Sequence, residues 1–269
     1  MDLTDRCAVV TGGGHGIGRA LCERLAREGA RVVVADVHAE RAEKIAARVD
    51  GTAFIGDVGD PAVVAALVDH AVAHFGPVHV FCSNAGIGDR GPDLLTSTPD
   101  EVRAVVDVNL LAHVWAAQQV LPTMLDEGVG YLVQTISSAA LITGPSPFGY
   151  TLTKHGALGF AEWVALYYAH LGITVTCLCP NAVNTGMLGR NEDDEAGSTR
   201  SDSPVVANIG DVVEPELVAD MALDAMAQRR FLVLPHPRVG ESFLRKAGDY
   251  DRWLEGTNRR LRRMRGEDV

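Results

Sequence analysis

Tyr150 and Lys154, four residues apart, and Ser137 upstream of them are the side chains of this chain best suited to moving a proton. In a helix, residues at i and i+4 share one face, so the phenol and the ammonium of Tyr150-Thr151-Leu152-Thr153-Lys154 point into the same space. A free phenol, with a pKa of ~10, is a poor base at neutral pH. A cation held beside it favours the phenolate and is expected to lower that pKa, which makes proton exchange with an alcohol or a carbonyl feasible. Ser137, at the end of an apolar run, is suited to donate to an oxygen that gains negative charge. Taken alone, this spacing equally describes a surface tyrosine with a chance lysine one turn on. The rest of the chain decides.

A second group of residues suits a phosphate-bearing ligand. Thr11-Gly12-Gly13-Gly14-His15-Gly16-Ile17-Gly18 follows an apolar run directly and opens a helical one. Glycines there allow a tight turn and let a helix N-terminus approach a pyrophosphate. Asp36 ends the second apolar run, where a carboxylate can accept hydrogen bonds from the adenosine ribose and would repel a 2′-phosphate. NAD is therefore expected in preference to NADP, with His15 as a weak counterweight if protonated. Asp57-Val58 ends a third run, where the carboxylate can meet an adenine amino group. Asn84-Ala85-Gly86 ends a fourth, where small residues let backbone lie against a cofactor. Simple turn chemistry would account for either segment alone.

The elements that must position these residues alternate strand and helix. Strands are expected at Cys7–Thr11, Arg31–Ala35, Thr52–Gly56, Val78–Cys82, Tyr131–Ser137, Ile173–Cys179 and Phe231–Leu234. Helices are expected at Gly16–Glu28, Ala39–Arg48, Pro61–Phe75 with Asp60 as N-cap, Pro99–Asp126 with a break near Asn109, Tyr150–Leu171 and Glu214–Gln228. Continuous apolar strands alternating with helices predict an α/β fold, a single doubly wound parallel sheet of the Rossmann type with helices on both faces. All 269 residues are expected to form one domain. The polar stretch over 186–210 breaks the rhythm and is expected to be a mobile substrate lid.

Composition narrows the function classes. The net charge of −11 argues against nucleic acid as a partner. The basic end of the chain, with Arg259, Arg260, Arg262, Arg263 and Arg265, lacks interleaved aromatics and reads as a solvated helix end or a contact for an acidic neighbour, within a tail at 236–269. The five cysteines form no CxxC pair, and Cys177 and Cys179 are expected to be buried thiols on one strand face. His70 and His74 lack a third ligand, so no metal site is expected. There is no apolar run long enough for a membrane span and no opening signal peptide, and a cytoplasmic protein is expected.

With these residues in hand, the chain resembles the classical short-chain dehydrogenase/reductase family. The likeness runs from about residue 3 to 235. It rests on the TGxxxGIG loop, the Asp after strand two, the Asp57-Val58 and Asn84-Ala85-Gly86 segments, the lone Asn109, and Ser137 followed by YxxxK. The resemblance implies that Tyr150 is the general acid/base, that Ser137 holds the substrate oxygen and that Lys154 binds the nicotinamide ribose while lowering the tyrosine pKa. It implies that Asn109 supports a water-linked proton path, that Val183 and Thr185, just after Pro180, contact the carboxamide end, and that the protein is a tetramer. One departure stands out: the family has Pro-Gly where this chain has Pro180-Asn181. Asparagine tolerates positive φ, so the turn is expected to survive.

The leading expectation is an NAD-dependent oxidoreductase interconverting a secondary alcohol and a ketone. Ala139, Ala140, Leu141 and Ile142 after the serine, with Met187 and Leu188 in the lid, suggest an apolar pocket, and equally suit an ordinary core. Two rivals remain: an NADPH-dependent carbonyl or enoyl reductase, and a dinucleotide sensor without turnover. The apolar faces of Pro99–Asp126 and Tyr150–Leu171 suggest a homo-oligomer, tetramer or dimer.

Overall fold

The computed structural model describes residues 1–88, 94–186 and 211–267. Its strands are β1 (Cys7–Thr11), β2 (Arg31–Asp36), β3 (Thr52–Ile55), β4 (Val78–Ser83), β5 (Gly130–Thr135), β6 (Ile173–Leu178) and β7 (Leu232–Val233). They lie in the order β3-β2-β1-β4-β5-β6-β7, and every neighbouring pair is parallel. The connecting helices are α1 (Gly16–Arg27), α2 (Ala39–Arg48), α3 (Pro61–Phe75), α4 (Pro99–Val106), α5 (Ala112–Glu127), α6 (Phe148–Tyr168) and α7 (Pro215–Ala227). Two more, α8 (Pro237–Gly248) and α9 (Tyr250–Met264), follow β7.

Alternate strand side chains enter opposite layers. Val9, Val33 and Phe81 pack with Ala116, Val120 and Ala161 on one face. Val10, Val34 and Val80 pack with Leu21, Leu25 and Val218 on the other. Because both faces are covered, the strands read as unbroken apolar runs, and each Val or Leu buried this way stabilises the fold by ~1.5–3 kcal/mol. The order reverses between β1 and β4: connections leave in opposite directions there and open a crevice at the carboxyl ends of the strands.

The differences from the expected elements have local causes. β3 stops at Ile55, β5 at Thr135 and β6 at Leu178, and a single backbone bond carries on past each end, from Gly56 N–H to Asp36, Ile136 N–H to Leu178 and Cys179 N–H to Val233. α6 starts two residues before Tyr150 and ends at Tyr168, followed by a tighter turn at Ala169–Leu171. Asp60 caps α3 as expected, its carboxylate accepting from the Ala62 N–H at 2.8 Å. The expected break near Asn109 is a π-helical segment, Asp107–Leu111, joining α4 to α5.

The C-terminal segment departs further. α9 buries none of its residues within this chain. α8, in contrast, buries Val239 and Lys246. The Lys246 ammonium donates to the Leu141 carbonyl at 2.9 Å and faces the rings of Tyr250 and Trp253 at 5.3 and 5.0 Å. The expected lid falls outside the described residues except for Gly186, as do Met187 and Leu188. Among the described residues no helix is long and apolar enough to cross a membrane.

Candidate active site

A cleft of about 810 Å³ runs along the carboxyl ends of the strands. In strand order it meets Asp36, Asp57 and Val58 beyond β2 and β3, then Gly12, His15, Gly16 and Ile17 after β1. Asn84, Ala85 and Gly86 follow β4, Ser137 follows β5, Tyr150 and Lys154 come from α6, and Pro180, Val183 and Thr185 follow β6. Three residues singled out from the sequence do not line it: Gly14, Gly18 and Asn109.

The two glycines serve packing. A Cβ on Gly18 would lie 2.0 Å from the Gly12 carbonyl oxygen, and one on Gly14 would lie 2.7 Å from Arg41 Cβ. Gly12 itself has φ +62°, the left-handed region, and lets the loop turn into α1. His15, the N-cap of α1, makes no side-chain capping bond, and the first turn carries no acidic residue. The helix therefore offers its positive end to the cleft.

Asp36 is 5% exposed, and its carboxylate accepts from the Gly14 N–H and the His38 N–H, both at 3.0 Å. Burial works against its ionisation; the nearby His15 imidazole and the two amide donors outweigh this and hold the carboxyl below its usual range. His15 Nδ1 stands 3.9 Å from Oδ2, too far for a hydrogen bond and close enough for charge attraction if protonated. Arg41 and His38, not singled out from the sequence, line the same end of the cleft. The signal for Arg41 was available: it is a cation in the first turn of the helix that follows Asp36.

Asn84 does more than keep the turn small. Its Nδ2 donates to the Thr11 carbonyl at 3.0 Å, and its Oδ1 accepts from Thr135 Oγ1 at 2.9 Å. Thr11 Oγ1 in turn accepts from the N–H groups of Asn84 and Ala85 at 2.9 and 3.0 Å. Asn109, fully buried in the π-helical segment, clamps Ile87 from both sides, accepting its N–H at 2.8 Å and donating to its carbonyl at 2.9 Å. Asp57 closes its own turn by accepting from the Gly59 N–H at 2.9 Å.

Ser137 and Ser138 diverge. Ser138 Oγ donates to Asn181 Oδ1 at 3.3 Å, away from the phenol, while Ser137 shares the cleft with Tyr150. Lys154 Nζ donates to the Thr135 carbonyl at 3.1 Å and lies 5.6 Å from the Tyr150 ring centroid. The expected lowering of the phenol does not appear. Tyr150 is half-buried by surface, yet crowding around its hydroxyl makes desolvation the leading influence and pushes the phenol above its usual value, with Ser137 acting in the opposite sense. Burial also drives Lys154 down to about 8, so part of the expected cation is given up. Beneath it, burial and the Lys154 charge push His113 down to about 3, which leaves that imidazole neutral.

Burial and backbone geometry decide two further readings. Ala139, Ala140 and Leu141 are buried in the core and Ile142 packs against it, so these residues do not form an apolar substrate wall. Asn181 does not use positive φ; among the described non-glycine residues only Asp5, Asp50 and Arg229 do. Its N–H instead donates to Nδ1 of His236 at 3.1 Å, a partner that local sequence spacing could not suggest.

A family model described as short chain dehydrogenase matches residues 6–196. The 1-deoxy-11-beta-hydroxypentalenate dehydrogenase of Streptomyces avermitilis is 35% identical over 255 residues, covering 90% of each chain. A cyclohexanol dehydrogenase of Acinetobacter sp. is 31% identical, covering 81% of this chain and 86% of its own. The crystal structure of a short chain dehydrogenase/reductase from Burkholderia phymatum in complex with NAD superposes with a TM-score of 0.82 at 28% identity, covering 93% of this chain and 96% of that one.

Proposed function

The chain belongs to the short-chain dehydrogenase family, and on that premise we propose that it uses NAD to interconvert a secondary alcohol and a ketone on an apolar, alicyclic substrate. The observation that carries this reading is the convergence of Ser137, Tyr150 and Lys154 on one cleft whose other end holds the charged Asp36. Similarity to a cyclohexanol dehydrogenase supports the alicyclic class.

The residues present fit a dinucleotide. Gly12 and the uncapped start of α1 suit a pyrophosphate, and Asp36 suits two ribose hydroxyls. Lys154 is suited to hold the second ribose. When bound, the nicotinamide supplies the hydride acceptor or donor. The chain's own task is the proton. In reduction, the Tyr150 phenol donates to the carbonyl oxygen while the Ser137 hydroxyl donates to that same oxygen as it gains charge. In oxidation, the Tyr150 phenolate takes the alcohol proton. The raised phenol favours the acid role at neutral pH. Arg41 beside Asp36 favours a second reading, an NADPH-dependent reductase, because its guanidinium suits a 2′-phosphate.

We also propose that the protein self-associates through α6. Trp163, Leu166 and Tyr167 are 47%, 79% and 57% exposed on that helix, and the Trp163 and Tyr167 rings stack at 4.4 Å. Such a patch is suited to a second copy of the same face. Leu166→Glu together with Tyr167→Glu should turn an oligomer into a monomer by light scattering; a wild-type monomer would sink the idea.

Three measurements test the enzyme reading. Tyr150→Phe should lower turnover of a cyclohexanol and cyclohexanone panel by ~10²–10⁴-fold while leaving NADH affinity unchanged in fluorescence titration; retained turnover would remove Tyr150 from the chemistry. Asp36→Ala should weaken NAD binding and raise the NADP-to-NAD ratio of kcat/KM; an unmoved ratio would refute the role of the carboxylate. The raised phenol means less phenolate at any given pH, so kcat/KM for alcohol oxidation should climb with pH beyond 10.0, the usual tyrosine value. Ketone reduction, which needs the phenol and the Lys154 cation, should decline above about 8. A flat pair of pH–rate profiles would overturn this assignment.

A further inference from the structure

His236 joins β7 to α8, is 6% exposed, and uses both ring nitrogens. Nδ1 lies 3.1 Å from the Asn181 backbone N–H, which can only donate, so Nδ1 carries no proton. Nε2 lies 3.1 Å from the Ala182 carbonyl and 3.0 Å from the Asp211 carbonyl, which can only accept, so the proton is on Nε2. One neutral tautomer satisfies all three partners.

These partners are the turn after β6 and its surroundings. Asn181 Oδ1 accepts from Ser138 Oγ at 3.3 Å, and the Ser138 N–H donates to the Pro180 carbonyl at 2.8 Å. The ring therefore holds Asn181, and Asn181 holds the residue next to Ser137. On its other side the ring ties Ala182 to Asp211, just before Val213 bridges Val183. A glycine after Pro180 would carry no side chain to reach Ser138; this chain has Asn181 there, with His236 fixing its backbone.

We infer that His236 is a positioning residue for the reaction, acting through Asn181 to set Ser137 and the turn that lines the nicotinamide end of the cleft. The inference rests on the proposed NAD-dependent reading and adds to it a residue that touches neither substrate nor cofactor. It predicts a selective effect, because the adenosine end is built from the segments after β1, β2 and β3 and makes none of these contacts.

The test compares wild type with His236→Ala, His236→Asn and His236→Gln, measuring affinity for NADH and for ADP-ribose, which lacks the nicotinamide ring, together with hydrogen exchange at the Asn181 amide. Asparagine keeps an acceptor near the position of Nδ1; glutamine keeps a polar group near Nε2 only. In the Ala and Gln variants NADH should bind about tenfold more weakly while ADP-ribose affinity stays within about twofold. The Asn181 amide should lose protection in both, and His236→Asn should restore both readouts. Where turnover of cyclohexanol is measurable, kcat should fall more than KM for the alcohol rises. NADH affinity unchanged in the Ala and Gln variants, equal weakening of both ligands, or rescue by Gln and not Asn would each overturn the inference. Should His236→Ala fail to fold, the Asn and Gln pair decides. A wild type that turns over no alcohol or ketone would defeat the proposed function alone, since exchange at Asn181 reads the brace without substrate.

Discussion

The site depends on the hydrogen bonds that pin three strand ends to one level. Asn84 reaches from the end of β4 to Thr11 on β1 and to Thr135 on β5. Parallel strands have no hairpin to set where each one stops, so their carboxyl ends must be registered by side chains. Thr135 joins this network twice, its hydroxyl donating to Asn84 and its carbonyl accepting from Lys154. The position of the one buried ammonium at the cleft floor thus follows from bonds that begin on β1. A buried network of this kind is stiff when all members are satisfied, and removing one leaves the others unpaired at a cost of ~1–3 kcal/mol each.

Stiffness matters because the electrostatics beneath the cleft run close to cancellation. Desolvation pushes the Tyr150 phenol up and the Lys154 ammonium down, each toward its neutral form. His113 yields first: it goes neutral and leaves Lys154 as the local cation. Near 8, Lys154 holds its proton at neutral pH with little margin, so small changes in its surroundings have a large effect on its charge. Lys154 acts on His113 through its charge, whereas at Tyr150 the desolvation of the phenol itself is the leading influence. That is why pairing Tyr150 with Lys154 at helical spacing led to the wrong sign for the phenol: spacing conveys proximity, and burial is not written in it.

What the sequence conveyed well was whatever is local. β1, α2 and α3 carry the expected bounds because their apolar periods and caps sit within a few residues of one another. The run from Thr11 to Gly18 and the acidic end of β2 were readable for the same reason. The π-helical segment was visible only as a break, since a wider turn leaves no compositional mark beyond disturbed periodicity. Ala139–Leu141 looked like a pocket wall because small apolar residues suit a cleft and a core equally, and only the packing of Leu141 under α8 separates the two. α8 and α9 were hidden by their charge: with arginines spread over amphipathic faces they resemble a solvated tail.

The two halves of the cleft therefore differ in how they are encoded. The half around Asp36 is assembled from strand-turn-helix segments between Thr11 and Asp60, each of which carries its own instructions. The half around Ser137 and Tyr150 relies on contacts with the end of the chain: Lys246 to Leu141 across 105 residues, and His236 to Asn181 across 55. Local encoding suits a surface that must recognise one fixed ligand. Encoding through a distant C-terminal brace lets the turns after β5 and β6 be reset together, by changes in α8, without disturbing the glycine loop or the sheet. The departure at Asn181 fits this division, because its backbone needs no positive φ and another element holds its N–H. In this chain that element is His236, supplied from beyond β7 and bonded to the backbone at three points.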